Sequence, residues 1–196
     1  ETVLLRLIRG SGLRGLMGIA PKKEISKINF CRPLLCLSRG DIEQCIQEWP
    51  IPYKEDSSNA KTDYDRNWIR HEILPLLKKK NPQIVETLGE TTQILQEDHE
   101  VLHQIGTQDF KALAQPEKQG WILNVNDYKK LPQGRRYYLL RVLWNQVYGN
   151  YRRITFHHIQ KMDHLACDSL PEASYNLPQC LYFRKYYWKI YIGPKE

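Results

Sequence analysis

The sequence predicts an α/β domain, then a long linking helix, then a small α+β domain. Strand and helix signals alternate over residues 1–75, which is typical of a mainly parallel sheet. Apolar residues then recur at helical spacing from Ile84 to Ile105, and two β-rich stretches close the chain. These observations divide the sequence into three segments, residues 1–80, 81–116 and 117–196.

A helix is predicted over residues 1–9, followed by a glycine-rich loop over residues 10–15. No capping residue and no initiating methionine precede the helix, so we expect the sequence to begin inside a longer protein. The helix is predicted to bury four apolar side chains that share one face: Val3, Leu4, Leu7 and Ile8.

A strand through residues 25–30 and a capped helix come next. Ser38 is the predicted N-cap, with Asp41 at the third helical position, and the helix ends at Trp49. One or two strands cannot form an independent sheet. We therefore expect residues 1–80 to be the C-terminal part of a parallel-sheet domain.

Two helices follow a polar loop over residues 54–65. The first is predicted over residues 66–77. Asn81-Pro82 places a proline at the first position of the second helix. The apolar spacing predicts a length of about 25 residues, well above the common length of helices, which favours a link between two domains.

The last segment has mixed signals that predict an α+β unit. Thr155 is a suitable N-cap, and Arg184-Lys185 separates two β-rich stretches as the turn of a hairpin would. The predicted elements are a strand at 121–125, helices at 135–148 and 156–166, and strands at 177–183 and 187–192.

The composition is typical of a globular protein in a reducing compartment. Apolar residues make up 41% of the chain, which argues against a disordered segment. No apolar run approaches the roughly 18 residues of a membrane span, and no signal peptide opens the sequence. The five cysteines contain no CxxC pair, so we expect reduced thiols, a cytoplasmic location and no membrane partner.

Charge is unevenly distributed along the chain. The net charge of +7 favours a polyanionic partner. Residues 129–161 hold eight Lys or Arg and no Asp or Glu, whereas residues 81–110 hold six acidic residues and no basic one. Two solvated faces of opposite sign would explain this pattern, and so would a basic surface for phosphates.

The basic stretch is interleaved with aromatic residues, as in many nucleic-acid-binding surfaces. Arginines neutralise phosphates, and aromatic faces stack on unpaired bases. Tyr138, Trp144 and Tyr148 fit the core of an amphipathic helix equally well. For the arginines we favour phosphate contact, and the candidates are Arg135, Arg136, Arg141, Arg152 and Arg153.

Two further patterns resemble known sites. Gly10 to Gly15 matches the dinucleotide pattern G-x-G-x-x-G, but that pattern needs a preceding strand and here a helix precedes it. A loop that approaches a phosphate closely, flanked by Arg9 and Arg14, is the better interpretation. His164 and Cys167 are one helical turn apart, but no second pair has ligand spacing, so we predict no metal site.

The most distinctive string is Tyr64-Asp65-Arg66-Asn67-Trp68-Ile69-Arg70. Arg66 and Arg70 are four residues apart, so they share a helical face near a positively polarised helix end. Two planar guanidinium groups there would suit a phosphate. An ion-pair cluster with neighbouring carboxylates is the alternative.

At this string the sequence resembles the tRNA(Ile)-lysidine synthetases, enzymes of the N-type ATP pyrophosphatase (PP-loop) group. Four blocks occur in the family's order: residues 1–16, 32–35, 55–59 and 64–77. The resemblance is dense up to about residue 82 and looser beyond, where a long helix precedes a small domain like the family's substrate-recognition domain.

The resemblance implies a reaction, its cofactors and its partners. ATP, with Mg²⁺, would adenylate the C2 oxygen of the wobble cytidine in tRNA(Ile), and free lysine would then attack C2, expel AMP and form lysidine. The tRNA would be recognised with its anticodon loop, and a homodimer is left open. Matched motif positions put Glu1, Arg66, Asn67 and Arg70 at the catalytic site, and Arg9, Gly10, Ser11, Gly12 and Arg14 against the tRNA.

The sequence also departs from the family pattern. These 196 residues contain no Ser-Gly-Gly-x-Asp-Ser phosphate loop, so we expect them not to bind ATP productively by themselves. A non-catalytic tRNA-binding module is therefore the alternative function. A related tRNA-thiolating enzyme would need CxxC cysteines, which are absent.

Overall fold

The computed structural model describes residues 1–25, 28–49, 52, 54 and 64–195. Contacts divide the chain into two compact units, Glu1–His99 and Glu100–Glu196, and the boundary falls inside one helix. The predicted division into three segments stays a prediction. Within the described ranges, no helix is long and apolar enough to cross a membrane.

The first unit is mainly helical in its described part, with one short pair of strands. Its elements are α1 (Thr2–Ile8), α2 (Leu13–Leu16), β1 (Lys22–Ile25), β2 (Ile28–Cys31), a 3₁₀ turn (Pro33–Cys36), α3 (Arg39–Glu48), α4 (Tyr64–Trp68), a π-helical turn (Ile69–Ile73), α5 (Leu74–Lys80) and the start of α6 (Ile84–Leu113).

A small apolar cluster joins α1 to the helix that begins at Tyr64. Leu4, Leu5 and the fully buried Ile69 form its centre. The predicted stripe on α1 is wrong in part: Leu7 and Ile8 are each 59% exposed. Because α1 packs through Leu4 and Leu5, the next turn of the helix falls outside the contact.

The helix predicted over residues 66–77 is present but longer, extending from Tyr64 to Lys80. Its middle turn, Ile69–Ile73, has π-helical hydrogen bonding. Pro75 lies one residue into α5 and has no amide N–H to donate to the preceding turn. A wider turn before the proline relieves that mismatch, and such π-turns are frequent at functional sites.

The single strand predicted over residues 25–30 is two antiparallel strands, with Lys22 opposite Cys31 and Ile25 opposite Ile28. No parallel pairing occurs among the described residues of this unit, so the parallel sheet stays a prediction. The cap on α3 is confirmed: the Asp41 amide donates to Ser38 Oγ (3.2 Å), and the Ser38 amide donates to Asp41 Oδ2 (2.7 Å).

The long helix is confirmed and has 30 residues. It starts at Ile84 rather than at Asn81-Pro82, because residues 82–83 form a turn in which Asn81 Oδ1 accepts the Gln83 amide (3.0 Å). Most of the predicted polar loop, and the family-like block at residues 55–59, lie outside the described residues.

The second unit is a five-stranded antiparallel sheet, in the order β3-β4-β7-β6-β5, with helices packed on one face. Trp144, Tyr128 and Phe183 are fully buried in its core. Its elements after α6 are β3 (Gln115–Glu117), β4 (Gly120–Asn124), α7 (Val125–Lys130), α8 (Gln133–Tyr148), α9 (Phe156–Cys167), β5 (Glu172–Asn176), β6 (Leu181–Tyr186) and β7 (Lys189–Pro194).

The position predicted for the hairpin turn is wrong. Arg184 and Lys185 lie inside β6, and the turn is at Tyr187 and Trp188. Strand alternation explains this: Arg184 points to the open face, while Lys185 is buried and donates to the Asp168 carbonyl (2.5 Å). A buried lysine with a backbone acceptor is not visible in the sequence pattern.

Candidate active site and nucleic-acid surface

Two ion pairs join α1 to the helix that begins at Tyr64. Arg70 binds Glu1 with two hydrogen bonds, Nε to Oε1 (2.6 Å) and Nη2 to Oε2 (3.0 Å). At the other end of α1, Arg9 Nη2 donates to Asp65 Oδ2 (2.6 Å). The two pairs lie on either side of the Leu4–Ile69 contact and fix the register of the two helices.

Glu1 is held in its charged form. The hydrogen bonds from Arg70 are the main cause of the lowered pKa of the Glu1 carboxyl, although partial burial opposes them. The positive charge of Arg66, one helical turn before Arg70, also lowers this pKa. A carboxylate bound in this way is a weak base, so Glu1 orients Arg70 rather than accepting a proton.

The structure therefore brings Glu1 to Arg70, 69 residues away in the sequence, on the helix that also carries Arg66. Arg66 is exposed and has no hydrogen bond or salt bridge with the described residues. Arg70 keeps its Nη1 uncommitted within that same part of the chain, because Nε and Nη2 bind Glu1. Asn67, directly after Arg66 in α4, is half-buried. The cluster offers guanidinium donors to an anion.

The glycine-rich loop is anchored next to this cluster by a residue that the sequence interpretation missed. Arg6 Nη1 donates to the carbonyls of Gly15 (2.8 Å) and Gly18 (3.1 Å). Gly10 has a left-handed backbone (φ +73°), and a Cβ at Gly15 would collide with Ser11. The loop is shorter than predicted, since α2 begins at Leu13.

The predicted loop contacts are all near the surface, where they can meet a ligand. Gly10 and Gly12 are exposed, Ser11 is half-buried, and Arg14 lies on the exposed side of α2. Arg9 is 56% exposed despite its pairing with Asp65. Asp65, directly before Arg66, is one of the carboxylates of the ion-pair cluster that the sequence offered as the alternative, and its partner is Arg9.

Two of the five arginines predicted to contact tRNA have carboxylate partners in the second unit. Arg136 is 17% exposed and donates to Asp163 through Nε (2.7 Å) and Nη2 (3.0 Å), and to the Leu131 carbonyl through Nη1 (3.0 Å). The Tyr128 hydroxyl donates to the same carboxylate (2.7 Å). We therefore revise the prediction for Arg136, because its donors are committed to the core.

Arg135 is paired but accessible. It holds Asp109 of α6 with two hydrogen bonds, one of them from Nε to Oδ2 (3.0 Å), while 48% of its side chain stays exposed. Asp109 is only 7% exposed, so Arg135 neutralises a nearly buried carboxylate. Part of its charge remains available at the surface.

The other three arginines have no carboxylate partner among the described residues. Arg152 and Arg153 are exposed in the segment between α8 and α9. Arg141 is half-buried on α8 and donates to the Tyr137 carbonyl (3.3 Å), and burial lowers its pKa. These three are the better candidates for phosphate contacts.

Comparison with known proteins identifies the relatives of this chain. Residues 1–77 match the family model of the PP-loop domain. The tRNA(Ile)-lysidine synthase of Geobacter sulfurreducens is 32% identical over 91% of this chain and 38% of its own length. The tRNA(Ile)-lysidine synthase of Geobacillus kaustophilus is 30% identical over 92% of this chain and 39% of its own length. That of Acinetobacter baylyi is 43% identical over 56% of this chain and 24% of its own length.

The chain thus spans about two fifths, or less, of the length of these relatives. The match to the PP-loop domain covers α1, the glycine loop and the helix with Arg66 and Arg70, which are the elements that build the cluster. The alignments with the first two relatives extend through most of both units. Residues 1–77 thus match the PP-loop domain family, and the chain resembles tRNA(Ile)-lysidine synthases over most of its length.

Proposed function

We propose that this chain is part of an ATP-dependent ligase that joins lysine to C2 of the wobble cytidine in tRNA(Ile). The observation that carries the proposal is the cluster of Glu1, Arg66 and Arg70 inside the region that matches the PP-loop domain. The names of the relatives support tRNA(Ile) as the substrate and lysidine as the product.

The reaction has two steps. The C2 oxygen of cytidine attacks the α-phosphate of ATP, and pyrophosphate leaves. An amine of lysine then attacks C2, AMP departs with the oxygen, and the amine loses a proton. The first step makes a poor leaving group into a good one, and positioned cations stabilise the phosphate charge as it develops.

The residues of the cluster fit an anion. Arg66 is exposed one helical turn before Arg70, and Arg70 is oriented by a bidentate pair that leaves Nη1 available. A fixed guanidinium can bind two oxygens at once, so these groups suit a phosphate or adenylate. Arg9 and the loop from Gly10 to Gly12 would meet the nucleotide from the other end of α1.

Mg²⁺ usually binds through one or two carboxylates together with the phosphates of its substrate. Among the described residues, no three His, Cys, Asp or Glu side chains come together to hold a metal ion. The two carboxylates of the cluster region are engaged, Glu1 by Arg70 and Asp65 by Arg9. We therefore assign no step to a metal bound by these residues.

In the second unit we propose that Arg141, Arg152 and Arg153, assisted by the exposed part of Arg135, contact tRNA phosphates. Their segment has eight basic residues and no acidic one. Such contacts would set the position of the tRNA rather than read its sequence.

The test is incorporation of radiolabelled lysine into purified tRNA(Ile) by the full-length protein, with nucleoside analysis of the product. We expect lysidine that depends on ATP, and no lysidine from the 196 residues alone, because they contain no Ser-Gly-Gly-x-Asp-Ser loop. A full-length protein that binds tRNA(Ile) but incorporates no lysine would contradict the ligase proposal and favour a tRNA-binding module.

A further inference from the structure

The face of the five-stranded sheet opposite its helices is open and aromatic. Strand alternation and register place Tyr182 and Tyr186 of β6 and Tyr191 of β7 on this face, around Arg184. A groove of about 420 Å³ lies over them. Ordinary antiparallel sheets expose a polar face to water, so three tyrosines in one groove are unusual for a merely solvated surface.

Tyr191 is held flat against the sheet by two glycines. A Cβ at Gly120 would lie 2.8 Å from Tyr191 Cε2, and a Cβ at Gly193 would lie 2.6 Å from its Cζ. The hydroxyl donates to the Pro194 carbonyl (3.2 Å), which fixes the ring further. The ring thus lies against the backbone of β4 and β7 at these two glycines, and Tyr191 also lines the groove.

Cations surround these rings. The Arg184 guanidinium lies 5.1 Å from the centre of the Tyr186 ring, and Lys195 Nζ lies 5.8 Å from that of Tyr182. Lys189 also lines the groove. Among the described residues, Glu117 also lines the groove, and Glu172 makes a long contact with Arg184 (3.8 Å). Positive charge therefore exceeds negative charge along the groove.

We propose that this sheet face, which we call the tyrosine face (Tyr182, Arg184, Tyr186, Lys189, Tyr191 and Lys195), binds unpaired nucleotides of RNA. Bases would stack on the tyrosines, and the cations would neutralise the connecting phosphates. A paired stem hides its base faces, so single strands are preferred. The identification of the RNA as tRNA rests on the proposed function, but the binding chemistry does not.

The tyrosine face is separate from the arginines of α8 and the α8–α9 segment. Those arginines lie on α8 or between α8 and α9, and both helices pack against the sheet. One unit would thus present two RNA surfaces, a helical one for phosphates and a sheet face for bases.

The experiment measures binding of a fluorescein-labelled single-stranded oligouridylate to the 196-residue chain by fluorescence anisotropy. Tyr191→Leu removes the ring, whereas Tyr191→Phe keeps it and loses only the hydroxyl. We expect Tyr191→Leu to weaken binding about fivefold or more, as loss of one stacked base does, and Tyr191→Phe to stay within about twofold of wild type. Tyr186→Leu, at a ring that is 47% exposed, repeats the test without disturbing the glycines.

The charge component has its own variants. Arg184→Ala should reduce the slope of log affinity against log salt by about 0.7, the value for one phosphate of a single strand. Lys111→Ala is the matched control, because Lys111 is exposed on α6 and does not line the groove. Its slope should equal that of wild type.

Either of two results would overturn the proposal. One is wild-type affinity in both Tyr191→Leu and Tyr186→Leu, which would leave only non-specific charge attraction. The other is equal competition by a fully paired RNA hairpin. Lysine incorporation is not part of this measurement. RNA binding that does not depend on the rings would therefore refute the tyrosine face alone, and failure to form lysidine would refute the ligase alone.

Discussion

Replacement of Arg136 by alanine should destabilise the second unit rather than weaken RNA binding directly. Arg136 supplies two of the hydrogen bonds to Asp163, and the Tyr128 hydroxyl supplies a third. The Asp163 side chain is only 7% exposed, so in Arg136→Ala a nearly buried carboxylate would lose its counter-ion.

The expected cost follows from this geometry. Breaking a buried ion pair by removing one partner costs about 3–5 kcal/mol. Arg136 is 17% exposed, which gives water some access, so we expect the lower end of the range, about 3 kcal/mol in the free energy of unfolding. Arg136→Ala would also remove the hydrogen bond from Arg136 Nη1 to the carbonyl of Leu131, the C-cap residue of α7.

Urea unfolding followed by tryptophan fluorescence measures this cost, since Trp144 is buried in the same core. Arg152→Ala is the matched control: it should change stability by less than about 0.5 kcal/mol but lower the salt dependence of tRNA binding by up to about 0.9 in slope. The reasoning is refuted if Arg136→Ala keeps wild-type stability and instead lowers the salt slope.

Three further predictions concern the other groups described above. In the full-length enzyme, Arg66→Lys should lower turnover about 100-fold, because an ammonium group cannot replace the planar guanidinium fork. The melting temperature should not change, because an exposed arginine adds little stability. Normal turnover would refute a functional role for Arg66. Arg70→Gln should raise the lowered pKa of Glu1 towards its ordinary value in a carboxyl NMR titration, and an unmoved pKa would mean that Arg70 is not its cause. His158 Nδ1 can accept a hydrogen bond from the Thr155 amide (3.0 Å) only when the imidazole is neutral, and burial lowers the pKa of His158. The contribution of His158 to folding stability is therefore complete above its unfolded pKa of about 6.5. This contribution is lost as the pH falls through the lower pKa of the folded state. His158→Gln keeps a side chain that can accept the Thr155 amide but does not titrate. Urea unfolding should therefore show a smaller loss of unfolding free energy on acidification for this variant than for wild type. An equal loss would mean that other groups cause the pH dependence.

Local signals predicted much of the fold. Ser38 and Thr155 were identified as N-caps from the sequence, because a cap depends on residues only three apart. The long helix was identified from its apolar spacing. Its start at Ile84, where a turn competes with the helix, and its length of 30 residues differ from the prediction.

Long-range contacts explain what the sequence could not give. The alternation of β6 could not be recognised in the sequence because Lys185 points into the core. Its hydrogen-bond acceptor, the Asp168 carbonyl, is 17 residues away. Arg136 looked like a surface cation for the same reason, since Asp163 is 27 residues away. The sequence blocks identified Glu1 and Arg70 as site residues, but not that they bind each other across 69 residues.

The central claim is that the protein activates the C2 oxygen of cytidine with ATP and then replaces that oxygen with lysine. The most direct measurement uses tRNA(Ile) that carries ¹⁸O at C2 of the wobble cytidine, incubated with the full-length enzyme, ATP and lysine, followed by mass spectrometry of the released AMP. The account predicts one ¹⁸O atom in AMP for each lysidine formed. AMP without the label, or release of ADP and phosphate in its place, would contradict it.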